Sequence, residues 1–301
     1  MTGNATRKPA LRAGFSGREK LRFSLRCLSL LVNFFPTPPK RLPIGSPPWY
    51  VGSGERMRLD RIFMNLLMGD DGMKTFDRGF LQEMKKKLDI DLIGVASVDQ
   101  SQELKDKAAP FLPTVKTVVV FAKETYREVV SLIGPSRETG EPELGEVFSV
   151  HANYIYGRLN RAVHEMAGIF HAEGYRSIPL CAAPGFITDQ RYLKALFSYK
   201  HAAELAGLGT IGRNSLLITP EFGPRVRLAC LLTEAPVETT HRRQKKQCRK
   251  CDACIRVCPA QAIHAPESGQ PYAMNTFACR AYRQAGLVCS VCLKACDEIT
   301  G

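Results

Sequence analysis

The sequence predicts an α/β layered domain followed by a small cysteine-rich module of ferredoxin type. Three observations predict it. Stretches of helical periodicity alternate with β-branched runs from residue 76 to residue 233. The run TVVVFA at 117–122 is almost unbroken apolar sequence, the pattern of a strand covered on both faces. Eight of the eleven cysteines fall between residues 248 and 296, inside the last 54 residues.

Each element has its own signal. Phe76, Phe80, Leu81, Met84 and Leu88 recur at helical spacing, with Asp77 placed as a cap. DLIGVASV at 91–98 reads as a strand, and 101–109 as a short helix ended by Pro110. Ile155, Leu159, Val163, Met166 and Phe170 predict a long amphipathic helix over 152–172. Residues 177–180 form a short strand, and 199–206 a helix ended by Gly207. Leu216–Thr219 and Val226–Thr233 read as two strands joined by PEFGPR. These signals place an extension at 1–72, the α/β domain at 73–240 and the cysteine module at 241–301.

Composition excludes several classes. With 301 residues, 45% hydrophobic and 24% charged, the chain can bury a real core. No apolar run reaches the roughly 18 residues that a transmembrane helix needs, so no membrane partner is expected. An odd number of cysteines in a chain this long argues against a small disulfide scaffold. Residues 1–60 hold eleven Lys or Arg against three acids, a net +8 of the chain's +13. That segment is rich in proline. The apolar stretch Cys27–Phe35 has no cleavage site after it and no Arg-Arg pair before it. It reads as a disordered extension or a start codon assigned too early. A second basic knot, HRRQKKQCRK at 241–250, could steer a polyanion such as RNA or offset a nearby anionic group.

The cysteine spacing carries the chemistry. Cys248-x2-Cys251-x2-Cys254-x3-Cys258-Pro259 sets three thiolates on one tight loop. In such a run the fourth cysteine serves the other cluster. Cys279-x9-Cys289-x2-Cys292-x3-Cys296 supplies the complement. Two-cluster ferredoxin logic assigns Cys248, Cys251, Cys254 and Cys296 to one [4Fe–4S] cluster. It assigns Cys258, Cys279, Cys289 and Cys292 to a second. Paired CxxC motifs also bind zinc, but zinc ribbons space their pairs further apart and do not use CxxCxxCxxxCP. Clusters of this sort imply a reducing, cytoplasmic location.

At residues 198–238, SYKHAAELAGLGTIGRNSLLITPEFGPRVRLACLLTEAPVE, the chain resembles the epoxyqueuosine reductase and reductive dehalogenase superfamily. The match is Ala206-Gly207-Leu208-Gly209-Thr210-Ile211-Gly212-Arg213-Asn214, followed by a hairpin and then the two-cluster module. The resemblance implies a nitroreductase-like domain that holds cobalamin, fed with electrons by the clusters. His201, Gly207, Gly209, Gly212, Arg213 and Asn214 are then the candidate cofactor-binding residues. On their own the glycines fit close packing against a corrinoid or plain helix–strand packing equally. They follow a helix and lead into a strand, so they are not a dinucleotide fingerprint.

The departures concern catalysis. Epoxyqueuosine reductases carry an Asp donor in D-S-A-P, whereas here the stretch is Cys181-Ala182-Ala183-Pro184. Cys181 is therefore the candidate proton donor, with a small buried hydrophobe as its other reading. Reductive dehalogenases use a Tyr donor, which makes Tyr154 and Tyr156 candidates, with Tyr199 also available. The chain stops at Gly301, without the helical repeat domain that helps such reductases bind tRNA. tRNA is therefore the less favoured partner. The leading expectation is an iron–sulfur oxidoreductase that relays electrons to a cobalamin for reductive cleavage of a small-molecule or nucleoside substrate. Its partner would be a low-potential donor, a ferredoxin or flavodoxin. The alternative is a ferredoxin-type electron-transfer protein without its own substrate, such as a reductive activator of a corrinoid enzyme.

Overall fold

The computed structural model describes residues 76–134, 144–182, 188–189, 194–240, 244–270, 272–285 and 289–300. The extension expected over 1–72 lies outside them, as do Arg242 and Arg243 of the basic knot. Helix α1 (Arg78–Lys87) is capped by Asp77, whose carboxylate accepts from the Phe80 amide at 2.8 Å. Strand β1 (Leu92–Ser97) and helix α2 (Gln102–Ala108) follow, then β2 (Thr117–Glu124) and the short α3 (Arg127–Ser131). Next come the long α4 (Gly145–Ala172), β3 (Ser177–Leu180), and the pair β4 (Thr188–Asp189) and β5 (Lys194–Ala195). Helix α5 (Tyr199–Leu205) leads to β6 (Thr210–Ile211), β7 (Leu217–Ile218) and β8 (Val226–Thr233). The cysteine segment holds α6 (Ala253–Arg256), β9 (Ile263–His264), β10 (Ala273–Met274), α7 (Thr276–Gln284) and α8 (Val291–Thr300).

The central sheet runs β1-β2-β8-β3, every pair antiparallel. Both faces are covered. Val119, Phe121, Ala229 and Leu231 pack with α1 and α4. Val118, Val120, Cys230 and Leu232 pack with α2 and α5. This is why β2 reads as continuous apolar sequence: alternate side chains enter two different cores. Helix α4 begins at Gly145, earlier than the expected 152. Its first two turns bury Phe148 but expose Val147 and Val150, which blurs the amphipathic pattern.

One expected hairpin does not form. Strand β7 pairs back on β6, while β8 lies between β2 and β3. PEFGPR folds on itself instead, with Thr219 and Gly223 exchanging backbone hydrogen bonds of 2.8 and 3.0 Å at a Gly223 φ of +54°. The β6–β7 approach depends on glycine. A Cβ on Gly209 would stand 2.3 Å from the Ile218 carbonyl oxygen, and one on Gly212 would stand 2.6 Å from Ile218 Cδ1.

Two stability tests follow from this packing. Gly209→Ala should destabilise the chain by about 1–3 kcal/mol, because backbone must shift to admit the methyl group. Gly168→Ala, on the exposed side of α4 with open space around it, should stabilise by about 0.5–1 kcal/mol. Urea unfolding of the two variants should move their midpoints in opposite directions. The second test uses pH. Arg176 hydrogen-bonds Glu234 across the β3–β8 edge and holds its carboxyl at about 2, below the ordinary 4.5. The folded value is depressed, so this contribution is complete above about pH 4.5 and fades as pH falls toward 2. Glu234→Gln should flatten the acid limb of the urea midpoint over that window and leave the rest of the profile in place.

Candidate functional site

The fold gathers the eight clustered cysteines into two groups. Cys248, Cys251 and Cys254 line one recess with Cys296 of α8, although more than forty residues separate them in sequence. Arg213, Asn214, Asp252, Ile299 and Thr300 complete its walls. The tight loop is made by Lys250 and Asp252, both at left-handed φ (55° and 60°), which turn the chain around the three sulfurs. Arg213 forms an ion pair with Asp252 and so anchors this loop to the glycine run. Asn214, buried at 3% exposure, hydrogen-bonds the Cys296 side chain and reaches the Cys292 carbonyl oxygen at 3.4 Å.

The second group is Cys258, Cys279, Cys289 and Cys292. Its members feel one another's charge. Burial, then Cys289, Cys279 and Cys258, push the Cys292 thiol up to about 12. In the first group, burial and then Cys254 and Cys248 push Cys296 up to about 12. Sulfurs that raise one another's pKa in this way are costly to ionise together unless a cation lies among them. Among the described residues no three His, Cys, Asp or Glu side chains stand close enough for one ion. Four thiolates on a single zinc would sit ~3.8 Å apart at Zn–S of about 2.3 Å. A four-iron cube holds its ligands at its corners, further from one another.

A second constellation lies where β3 ends. Leu180 is the last β3 residue to pair, opposite Cys230, so the start of β8 runs on past it. Three basic side chains come from this end of the sheet. Lys123 is paired with Asp89 at 2.9 Å and Asp91 at 3.3 Å. Arg225 is paired with Asp297 at 2.7 Å and with Glu124. Arg227, opposite Lys123 in the register, has no such carboxylate. Its Nε is fully enclosed without a hydrogen-bond partner. Its guanidinium lies 5.0 Å from the Phe148 ring centroid and 5.6 Å from that of Tyr156. Burial and then the charge of Arg283 on α7 lower its pKa, opposed by Tyr156. His151 stands nearby, and burial, then the charge of Arg227, lower its pKa. Its Nε2 accepts from the Tyr126 amide at 3.4 Å.

The sequence-predicted residues distribute around these two places. Cys181 is exposed just after β3, which removes the buried-hydrophobe reading. Its carbonyl oxygen accepts from the Tyr199 hydroxyl at 2.8 Å, and the Ala182 amide donates to Asn160 Oδ1 at 2.7 Å. Burial raises the Tyr199 phenol, with lesser contributions from Cys230 and Cys181. Tyr156 packs on the core beside Arg227, whereas Tyr154 is 69% exposed on the outer side of α4. The close approach of Gly209 and Gly212 is to the chain's own Ile218. Gly207 ends α5 at φ +75°, and its carbonyl oxygen accepts from Gln244. Arg213 and Asn214 face the first cysteine group. His201 is half-buried, 4.0 Å from Glu103. Sequence reasoning missed Arg227, which lies in a run that reads only as strand. The missing signal was a lone cation in a buried strand with no acid placed to meet it.

A mixed α/β protein with two cysteine groups and an aromatic-flanked cation at its sheet end is what the chain presents. No family model matches it. It is 30% identical over 161 residues to a tetrachloroethene reductive dehalogenase of Desulfitobacterium hafniense, covering 52% of this chain and 25% of that protein. It is 36% identical over 86 residues to an epoxyqueuosine reductase of Prochlorococcus marinus, covering 29% of this chain and 26% of that one. Its fold matches a solved reductive dehalogenase linked to B12-dependent dehalogenation. The TM-score is 0.55 at 19% identity, covering 75% of this chain and 33% of the other. A catabolic reductive dehalogenase matches at TM-score 0.54 and 19% identity, covering 72% and 31%. The expected resemblance to both groups of reductases is thereby met. The chain spans about a quarter of the length of these curated relatives. No helix among the described residues is long and apolar enough to cross a membrane.

Arg227 separates stability from ligand chemistry. Arg227→Met keeps the packing of the stem and removes a half-buried cation, so thermal unfolding should shift little or upward. Ligand binding or turnover at this end of the sheet should fall at least tenfold, as a lost charged hydrogen bond of about 1.5–3 kcal/mol requires. A fall of several degrees in Tm with unchanged turnover would assign Arg227 to structure alone.

Proposed function

We propose that this chain is a low-potential reductase whose two cysteine groups hold two [4Fe–4S] clusters. The reading carries over from its relatives a cobalamin and a reductive cleavage of a small-molecule or nucleoside substrate. The domain layout is an extension over 1–72, a nitroreductase-like domain over 73–240 and a two-cluster ferredoxin-type module over 241–301. The observation that carries the reading is the exchange of cysteines: Cys296 joins the first run and Cys258 faces the second. A zinc-ribbon arrangement has no reason to cross its ligands in this way. The clusters would supply one-electron steps at low potential. Cobalamin would supply the bond-cleaving chemistry, and the protein positioning and electrostatics.

The sheet end fits such a ligand. Arg227 brings a positive charge, flanked by the Phe148 and Tyr156 rings, to this end of the sheet, where it would attract an electron-rich ligand group. Tyr156, with its ring beside the Arg227 guanidinium, is the stronger proton-donor candidate of the two α4 tyrosines. Cys181 is exposed at the adjacent β3 terminus and remains the second donor candidate. His201, Gly207, Gly209, Gly212, Arg213 and Asn214 then act by shaping the β6–β7 floor and the first cluster's wall. A low-potential ferredoxin or flavodoxin in a reducing cytoplasm would supply the electrons. The alternative, an electron-transfer protein without its own substrate, draws on the glycine run, which the chain itself fills.

Anaerobic reconstitution tests the core of this reading. The chain should bind about eight irons, and supplementation should leave about one cobalt per chain. Cys258→Ser should halve the iron and spare the signal of the cluster held by Cys248, Cys251, Cys254 and Cys296. Loss of that cluster instead would break the ligand assignment. Stoichiometric zinc without iron would end the iron–sulfur reading. Iron without retained corrinoid would favour the electron-transfer alternative.

A further inference from the structure

We propose that the rim around Cys251 is the docking surface for a small acidic one-electron carrier protein. The inference rests on the reading that Cys248, Cys251, Cys254 and Cys296 hold a cluster, and goes on to say where its electrons enter. Of the eight clustered cysteines, Cys251 is the one classed as exposed, while Cys254 is buried and the other six are intermediate. The first group therefore reaches the surface most openly at Cys251, while the cysteines of the second group are half-buried.

The charge around that point has one sign. Residues 244–264 contain Lys245, Lys246, Arg249, Lys250 and Arg256, all exposed, and a single acid, Asp252. Asp252 is already neutralised by its ion pair with Arg213. Arg249 lines the recess itself, and Arg256 donates to the Cys251 carbonyl oxygen at 2.9 Å. Val257, 43% exposed, adds an apolar contact to the same loop. A loop rich in exposed cations, with one exposed apolar side chain, complements a partner whose redox group is surrounded by carboxylates. Such complementarity speeds encounter, and its effect weakens with salt. On docking, one electron leaves the carrier's reduced flavin or iron–sulfur group and enters the oxidised cluster at Cys251. The carrier is oxidised by one electron and the cluster reduced by one.

The test uses the full reconstituted chain, a bacterial flavodoxin as donor and reduced methyl viologen as a small reductant that needs no docking. The double variant Lys245→Glu, Lys246→Glu avoids Lys250, which turns the cysteine loop, and both Arg249 and Arg256. A second variant, Lys86→Glu, Lys87→Glu, makes the same charge change on α1. Iron content is measured first for each chain. The rim variant should keep its iron and its rate with methyl viologen. Its reduction by flavodoxin hydroquinone should slow by about 10–100-fold at low ionic strength, and the deficit should shrink as salt rises. Its Kd for oxidised flavodoxin should weaken by a similar factor, while the α1 variant should match the unaltered chain. An equal loss in both variants would trace the effect to net charge and overturn the rim. So would an unchanged flavodoxin rate. Loss of affinity for a tRNA stem-loop at an unchanged flavodoxin rate would give the rim to RNA instead. An unaltered chain without iron would overturn the cluster reading, and this inference with it.

Discussion

Arg225 joins the two halves of the described structure, and the arrangement of the cysteines depends on it. The residue is only 5% exposed. Its Nε donates to Asp297 of α8, and its Nη1 donates both to Glu124 and to the Thr125 carbonyl oxygen beyond β2. A guanidinium can do this because its donors fan out in a plane and meet several acceptors at once. Asp297 follows Cys296 directly, so the ion pair fixes the helix that carries Cys292 and Cys296. Lys294 adds a second joint by donating to the Ser131 and Ile133 carbonyl oxygens at 2.9 and 2.8 Å, near the end of α3. The apolar part is small, with Leu293 entering a cluster of Val130, Ile133 and Phe148. The cysteine segment is therefore held to the sheet by directed polar contacts, which set angle and register more sharply than apolar area does.

The same end of the sheet explains where a ligand can act. Strand β3 is four residues long and β8 is eight, so β8 extends past its neighbour. Two arginines, Arg225 just before β8 and Arg227 within it, meet different fates there. Arg225 finds carboxylates on two elements, while Arg227 finds aromatic faces and an enclosed, unsatisfied Nε. Burying a cation without an anion costs stability unless something else completes the site. Structural logic alone would have placed an apolar residue at 227, as it did at Ala229 and Leu231 on the same face. Arg283, from the helix that carries Cys279, adds a further positive charge to this region.

Much of the fold was legible because single-element signals are local. The Asp77 cap, the α4 stripe from Ile155 to Phe170 and the β2 run each depend on a few neighbouring residues. The β7–β8 hairpin was misread because two short β-branched runs around PEFGPR look like a hairpin. The partner of β7 is decided by Gly209 and Gly212, which let β6 come close instead. The expected cysteine grouping rests on spacing, since in a run of this kind the fourth cysteine serves the other cluster. Arg227 was not legible, since its meaning lies in an absent partner. No one-dimensional pattern records that the acids nearby are spent on Lys123 and Arg225.

Crossed ligands also tie cluster assembly to folding. Lys250 and Asp252 make the loop of the first run locally. Cys296 comes from α8, which the Arg225–Asp297 pair, Lys294 and Leu293 hold in place. The second group needs Cys258 from the first run, Cys279 from α7, and Cys289 and Cys292 from the last segment. Neither set is complete until α8 has docked, so binding free energy of the metal becomes docking free energy of the helix. Asn214 strengthens this coupling, since it touches both Cys296 and the Cys292 carbonyl oxygen from the glycine run. The AGLGTIGRN stretch thus braces the cysteine segment through Arg213 and Asn214. Its glycines bring β7 against β6, and its last two residues carry that rigidity to the cysteines. A chain built in this way fixes the distance between its sulfur groups and its sheet end through side chains it already needs for folding.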